Sequence, residues 1–145
     1  MATSNHHPVP VLLIEDNPTD IFVITQVLKE FGLEAGLQVA TDGATGLDLW
    51  QASHASPCGA DCPGIVLLDL NIPKVSGREV LARIRSSPRC GDVPVVIVTS
   101  SNSPEDLAAI GALNASAYFR KPTDLSAFME LGNIIARLLP GGKHP

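Results

Sequence analysis

The chain has 145 residues, an apolar fraction of 45%, few aromatics and a net charge of −5. A chain of this length buries one core and fits one domain. Lacking a basic run or patch, it has no electrostatic footprint for nucleic acid, and no apolar stretch approaches the roughly 20 residues that span a bilayer.

In chain order, Met1-Ala2-Thr3-Ser4-Asn5-His6-His7 has neither the charged start nor the apolar core of a signal peptide. A cytoplasmic protein is expected, with tails over 1–8 and 140–145 and one domain over 9–139. Val11-Leu12-Leu13-Ile14 marks a strand over about 9–14. Asn17-Pro18 supplies an N-cap and a proline at the first helical position. It opens a helix over 18–31 whose Ile21, Ile24, Leu28 and Phe31 share a face and which stops at Gly32. A strand over 37–40 and a helix over 43–53 follow. Residues 52–64, rich in Ser, Pro, Gly and Cys, form a long loop on the edge away from the strand ends. Ile65-Val66-Leu67-Leu68 gives a strand over 64–69, followed by a helix over 77–86. Val95-Val96-Ile97-Val98 gives a strand over 94–99. Ser103-Pro104-Glu105-Asp106 repeats the cap-and-proline device and resembles a capping box with Asp in place of Glu; it opens a helix over 104–113. A strand over 116–120 and a helix over 124–139 complete the series. Strands alternating with helical crossovers give an α/β fold with a parallel sheet covered on both faces.

Cys58, Cys62 and Cys90 are odd in number and irregularly spaced, so no disulfide framework is expected. They are read as incidental loop thiols, with a zinc or redox role for Cys58 and Cys62 as the lesser reading. His6, His7 and His144 fall in the tails.

Asp69 follows the most apolar strand, which places its carboxylate at the carboxyl edge of the sheet, where open α/β folds bind ligands. Glu15 and Asp16 follow another strand, Thr99 ends a third and Lys121 follows a fourth. Strand ends on one edge converge. Three clustered carboxylates repel each other and resist ionisation unless a cation sits among them. Mg²⁺ prefers such oxygen ligands and keeps several waters. An ionised Asp is also a nucleophile toward phosphorus. Phosphoryl transfer is chiefly positioning and charge neutralisation, for which the cation, Lys121 and the Thr99 hydroxyl are suited.

Glu15-Asp16-Asn17, Leu68-Asp69-Leu70-Asn71-Ile72-Pro73, Gly77, Val98-Thr99-Ser100 and Lys121-Pro122 together resemble the signature of two-component response-regulator receiver domains, from about Val9 to Leu139. The resemblance implies a flavodoxin-like five-stranded parallel sheet in order 2-1-3-4-5. It implies that Asp69 is the phospho-acceptor. It implies that Asp16, Asp69 and the backbone carbonyl of Asn71 bind Mg²⁺, or Mn²⁺ in its place, with Glu15 acting largely through water. Thr99 and Lys121 would bind the phosphoryl group, and Tyr118 matches the aromatic switch that works with Thr99. Such a module promotes its own phosphorylation and dephosphorylation and signals through protein contacts.

Asn17-Pro18-Thr19-Asp20, Asn71-Ile72-Pro73-Lys74, Gly77-Arg78-Glu79-Val80-Leu81 and Lys121-Pro122-Thr123-Asp124-Leu125 resemble, more narrowly, the stand-alone regulators paired with phytochrome-type histidine kinases. Ser76, where many receivers have Asp, and the long 52–64 loop are the departures. The implied partners are a histidine kinase of the bacteriophytochrome class and a phosphorelay or effector protein, with no nucleic acid or membrane. The last helix has a broad apolar stripe including Leu125, Phe128, Met129, Leu131 and Ile135. With Phe119 it suggests a homodimer, or docking on the kinase, through the face of helix 104–113, strand 116–120 and helix 124–139. The other reading is that the stripe seals the sheet.

Three alternatives compete. A haloacid-dehalogenase-type phosphohydrolase needs a second acid two residues after its nucleophile, where this chain has Asn71. A flavin- or nucleotide-binding module needs a glycine-rich loop after the first strand, where Glu15-Asp16-Asn17-Pro18 would repel an anion. A receiver-like scaffold that accepts no phosphate would not need the intact acid, Thr and Lys set.

Overall fold

The computed structural model describes residues 8–53 and 62–139. His6, His7, Cys58, His144 and the expected terminal tails up to residue 7 and from 140 lie outside the described residues. Five strands, β1 (Val11–Ile14), β2 (Leu37–Ala40), β3 (Ile65–Leu68), β4 (Val95–Thr99) and β5 (Ala117–Arg120), pair in parallel in the order β2-β1-β3-β4-β5. The crossovers are α1 (Pro18–Glu30), α2 (Gly43–Ser53), α3 (Gly77–Arg85) and α4 (Pro104–Ala112), and α5 (Leu125–Leu138) closes the order. This is the flavodoxin-like α/β architecture expected. Observed boundaries lie within two residues of the expected ones. A short 3-10 turn at Glu34–Gly36 was not foreseen.

The three central strands are buried along their whole length, as continuous apolar runs require. Alternate side chains divide the core. Val11, Leu13, Ile65, Leu67, Val96 and Val98 meet α1 and α5 on one face. Leu12, Ile14, Val66, Leu68, Val95 and Ile97 meet α2, α3 and α4 on the other.

The helix starts are local chemistry. Asn17 Oδ1 accepts from the amides of Thr19 and Asp20 at 2.9 and 3.1 Å. Ser76 Oγ accepts from Glu79 N, so the residue that departs from the receiver pattern caps α3. Ser103 Oγ accepts from Asp106 N at 3.0 Å. Asp106 does not return the bond as a capping box would, because its carboxylate is engaged by Ser101 and Arg78.

Two expectations are corrected. Phe119 and Phe128 are core residues, buried with ring centroids 5.6 Å apart, and cannot be interface contacts. The broad stripe of α5 has its cause inside the molecule: α5 packs on the sheet and also against α1. The approach to α1 is so close that a Cβ on Gly132 would collide with the Phe31 ring. Of the suggested interface residues, Leu125 is 59% exposed. With Met129 and Phe22 it lines an apolar groove of about 600 Å³ between α1 and α5.

The second correction concerns the cysteines. Cys62 and Cys90 form a disulfide, their Cα atoms 5.7 Å apart across a sequence separation of 28. Cys62 precedes β3 and Cys90 precedes β4. These strands are neighbours, so their starts meet on the edge opposite the site. Cys62 is therefore neither an incidental thiol nor a zinc ligand.

Candidate functional site

The hydrogen-bond ladder of the sheet continues into the site residues. Glu15 N donates to Ala40 O, Asp69 N to Ile14 O, and Lys121 N to Thr99 O, at 2.9 to 3.1 Å. Each residue is thus held by the neighbouring strand, and the carboxyl edge becomes a rigid platform. Glu15, Asp69 and Thr99 are the buried polar residues there. Carboxylate oxygens of Glu15, Asp16 and Asp69 lie within 4.8 Å of one another. Asp16 is exposed and opens the cluster to solvent.

Lys121 Nζ stands at the centre of these acids, its side chain 8% exposed. It donates to Asp69 Oδ2 at 2.9 Å and to Asp20 Oδ2 at 2.7 Å. Its contact with Glu15 Oε1, also 2.9 Å, is an ion pair without hydrogen-bond alignment, which leaves Oε1 buried with no aligned donor. Burial alone would lower the Lys121 pKa, but the hydrogen bonds to Asp20 and Asp69 and the ion pair with Glu15 outweigh it and raise it. Lys121 is therefore a fixed cation. Burial pushes the Glu15 carboxyl up to about 7, assisted by the Asp69 charge and opposed by Lys121 and the Asn17 amide. Asp69 Oδ1 accepts from Asn71 N at 3.3 Å, which folds the β3–α3 connection over the acid.

The donor set fits a hard divalent cation. It is all oxygen, partly open, and includes a buried carboxylate oxygen that lacks a donor. One lysine cannot balance three clustered acids and Asp20.

Thr99 is fully buried, and its Oγ1 accepts from Ser101 N at 3.3 Å. Tyr118, on the opposite side of β5 from Phe119, donates its hydroxyl to Ser101 O at 2.5 Å. Ser101 Oγ in turn donates to Asp106 Oδ2, and Arg78 of α3 reaches Asp106 Oδ1 at 3.3 Å. The loop after β4 is therefore tied to β5, α4 and α3 together.

The structure brings Glu15, Asp16, Asp69 and Lys121 into one cluster. Sequence reasoning gave no role to Asp20 or to the Arg78–Asp106 pair. For Asp20 a signal existed: its position in the first turn of α1, in Asn17-Pro18-Thr19-Asp20, three residues beyond the cap.

Comparisons with known proteins identify the family and the fold. The family model described as response regulator receiver domain matches residues 11–132. Response regulator Rcp1 of Synechocystis sp. is 31% identical over 131 residues, 90% of this chain and 88% of that protein. The structure of its Mn²⁺-bound form superposes with a TM-score of 0.75, covering 92% and 99% of the two chains. The phosphorylated cyanobacterial phytochrome response regulator RcpA is 29% identical with a TM-score of 0.79, over 92% and 94%. The bacteriophytochrome response regulator RtBRR is 34% identical with a TM-score of 0.70, over 86% and 75%.

Proposed function

The chain belongs to the response regulator receiver domain family, and from that premise we propose that it is a signalling module that accepts a phosphoryl group on Asp69 from a histidine kinase. The observation that carries this reading is the Lys121 Nζ contact with Asp69 at 2.9 Å inside a cluster of three acids. The lysine orients the nucleophile through this hydrogen bond and offers a cation to the incoming phosphoryl oxygens. A carboxylate oxygen of Asp69 bonds to phosphorus as the phosphorus–nitrogen bond of the donor breaks, leaving an acyl phosphate. Asp16, Asp69 and the Asn71 carbonyl would hold Mg²⁺ or Mn²⁺, with Glu15 reaching it through water. The cation supplies charge neutralisation at the phosphoryl oxygens.

Readout follows from Thr99. A phosphoryl group on Asp69 draws the Thr99 hydroxyl toward it by a charge-assisted hydrogen bond. The loop beyond Thr99 must then move, and the Tyr118 bond to Ser101 O is the tie that has to break. The face of α4, β5 and α5 changes shape as a result. A homodimer through this face would use exposed side chains such as Leu107 rather than Phe119 or Phe128. A kinase of the phytochrome class is the partner we favour, because RcpA and RtBRR are phytochrome and bacteriophytochrome response regulators.

Intact mass spectrometry after incubation with acetyl phosphate tests the chemistry. One phosphoryl group should add in the presence of Mg²⁺. Full labelling in chelator, or equal labelling of Asp69→Asn, would contradict the reading.

A further inference from the structure

Lys121 has a partner outside the acidic triad. Asp20 Oδ2 accepts from Lys121 Nζ at 2.7 Å, across 101 residues of sequence, and this is the shortest of the three carboxylate contacts to that ammonium. Resting on the reading of Asp69 as phospho-acceptor, we propose that Asp20 is a positioning residue for phosphoryl transfer, holding Lys121 in place as Asp69 is converted from a carboxylate to an acyl phosphate.

Lys121 makes two aligned hydrogen bonds, to Asp20 and to Asp69, while its contact with Glu15 Oε1 is not aligned. Phosphorylation removes the charge from the Asp69 carboxyl and gives Lys121 a phosphoryl oxygen to meet instead. During that exchange Asp20 is the one aligned partner that does not change. An ammonium on a four-carbon stem is a flexible point charge, and ordering it costs side-chain entropy. An anchor already in place lowers that cost at the moment of transfer.

Asp20 is itself well fixed. It lies in the first turn of α1, and its amide donates to Asn17 Oδ1 at 3.1 Å. An acid in a first helical turn also favours the helix dipole, but that role does not require its carboxylate to point at Lys121. The cluster suited to a cation comprises Glu15, Asp16 and Asp69 and does not include Asp20. The acids are thus divided: the triad serves the cation and Asp20 serves the lysine.

The test measures labelling rates with acetyl phosphate across an Mg²⁺ titration, for wild type, Asp20→Ala, Asp20→Asn and Asp20→Glu, with a thermal melt of each. The rate at saturating Mg²⁺ should fall about tenfold in Asp20→Ala, through loss of one charge-assisted bond, and Asp20→Glu should recover much of it. The Mg²⁺ concentration giving half the maximal rate should move less than about threefold, because a lysine anchor acts on the transfer step and not on the cation's ligand set. Asp20→Asn keeps the shape and removes the charge, so it carries the test if Asp20→Ala does not fold. Rates within about twofold of wild type in both neutral variants would overturn the proposal. So would a loss that high Mg²⁺ restores, since that would put Asp20 among the cation's ligands. An unlabelled wild type would instead overturn the underlying reading of Asp69, and this proposal with it.

Discussion

Gly77, the first residue of α3, is pressed against the backbone of Asp69: a Cβ on Gly77 would stand 2.3 Å from the Asp69 carbonyl oxygen and 2.6 Å from Leu70 Cα. Its amide also donates to Leu70 O at 3.0 Å. Nothing there can yield like the end of a side chain, so the backbone carrying the acceptor must shift. Gly77→Ala should cost about 1–3 kcal/mol and slow Mg²⁺-dependent labelling. Gly111, where an added Cβ would meet no atom within 4 Å, is the control. Gly111→Ala should leave labelling unchanged and gain up to about 1 kcal/mol in a urea melt.

Glu15 predicts a pH dependence for the metal-free protein. Its carboxyl is raised from 4.5 to about 7 by burial, with a further rise from Asp69. Between those values the folded state holds a proton that the unfolded state has released. Its contribution to stability is therefore full below about 4.5 and is lost as pH rises through about 7. Thermal midpoints in chelator should fall over this window, and Glu15→Gln should flatten the fall. An unchanged slope in Glu15→Gln would remove Glu15 as its source.

Divalent cation should reverse part of that loss, and the two neighbouring acids should not contribute equally. On the proposed reading Asp16, exposed at the mouth of the cluster, would coordinate the cation directly and Glu15 would act through water. At a hundredfold excess over its dissociation constant, Mg²⁺ should stabilise the fold by about 2.7 kcal/mol. Asp16→Ala should abolish most of the Mg²⁺-induced rise in melting temperature, and Glu15→Ala should keep more of it. A larger loss in Glu15→Ala would exchange the two roles.

The Cys62–Cys90 bond closes a loop with a sequence separation of 28. Loop-closure entropy gives such a bond about 3.6 kcal/mol. Reduction should lower the melting temperature of wild type and leave Cys90→Ser unaffected. Peptide mapping without reductant should recover a peptide containing both cysteines. Recovering Cys90 as a free thiol from fully folded protein would contradict the pairing.

The sheet was legible because β1, β3 and β4 are continuous apolar runs, as strands of a doubly covered parallel sheet are, and they alternate with helical segments. The helix starts were legible because Asn17 and Ser103 carry their capping chemistry locally. The acidic cluster and Lys121 could be placed because strand ends on one edge must converge. Contacts set by packing were not legible. Asp20 meets Lys121 across 101 residues of sequence, and Cys62 meets Cys90 because β3 and β4 are adjacent. Phe128 shows a third limit. An apolar stripe records that a surface is covered, not whether the cover is α1 of the same chain or a partner. Its burial against Phe119 settles that for this side chain.

The central claim is that the phosphoryl group sits on Asp69 as an acyl phosphate, and borohydride trapping tests it most directly. Borohydride reduces an acyl phosphate to an alcohol and leaves free carboxylates untouched. After incubation with acetyl phosphate and Mg²⁺, peptide sequencing should find residue 69 reduced, in Mg²⁺-containing samples alone. Reduction at another acid, or a phosphorylated protein in which residue 69 survives borohydride intact, would contradict the account.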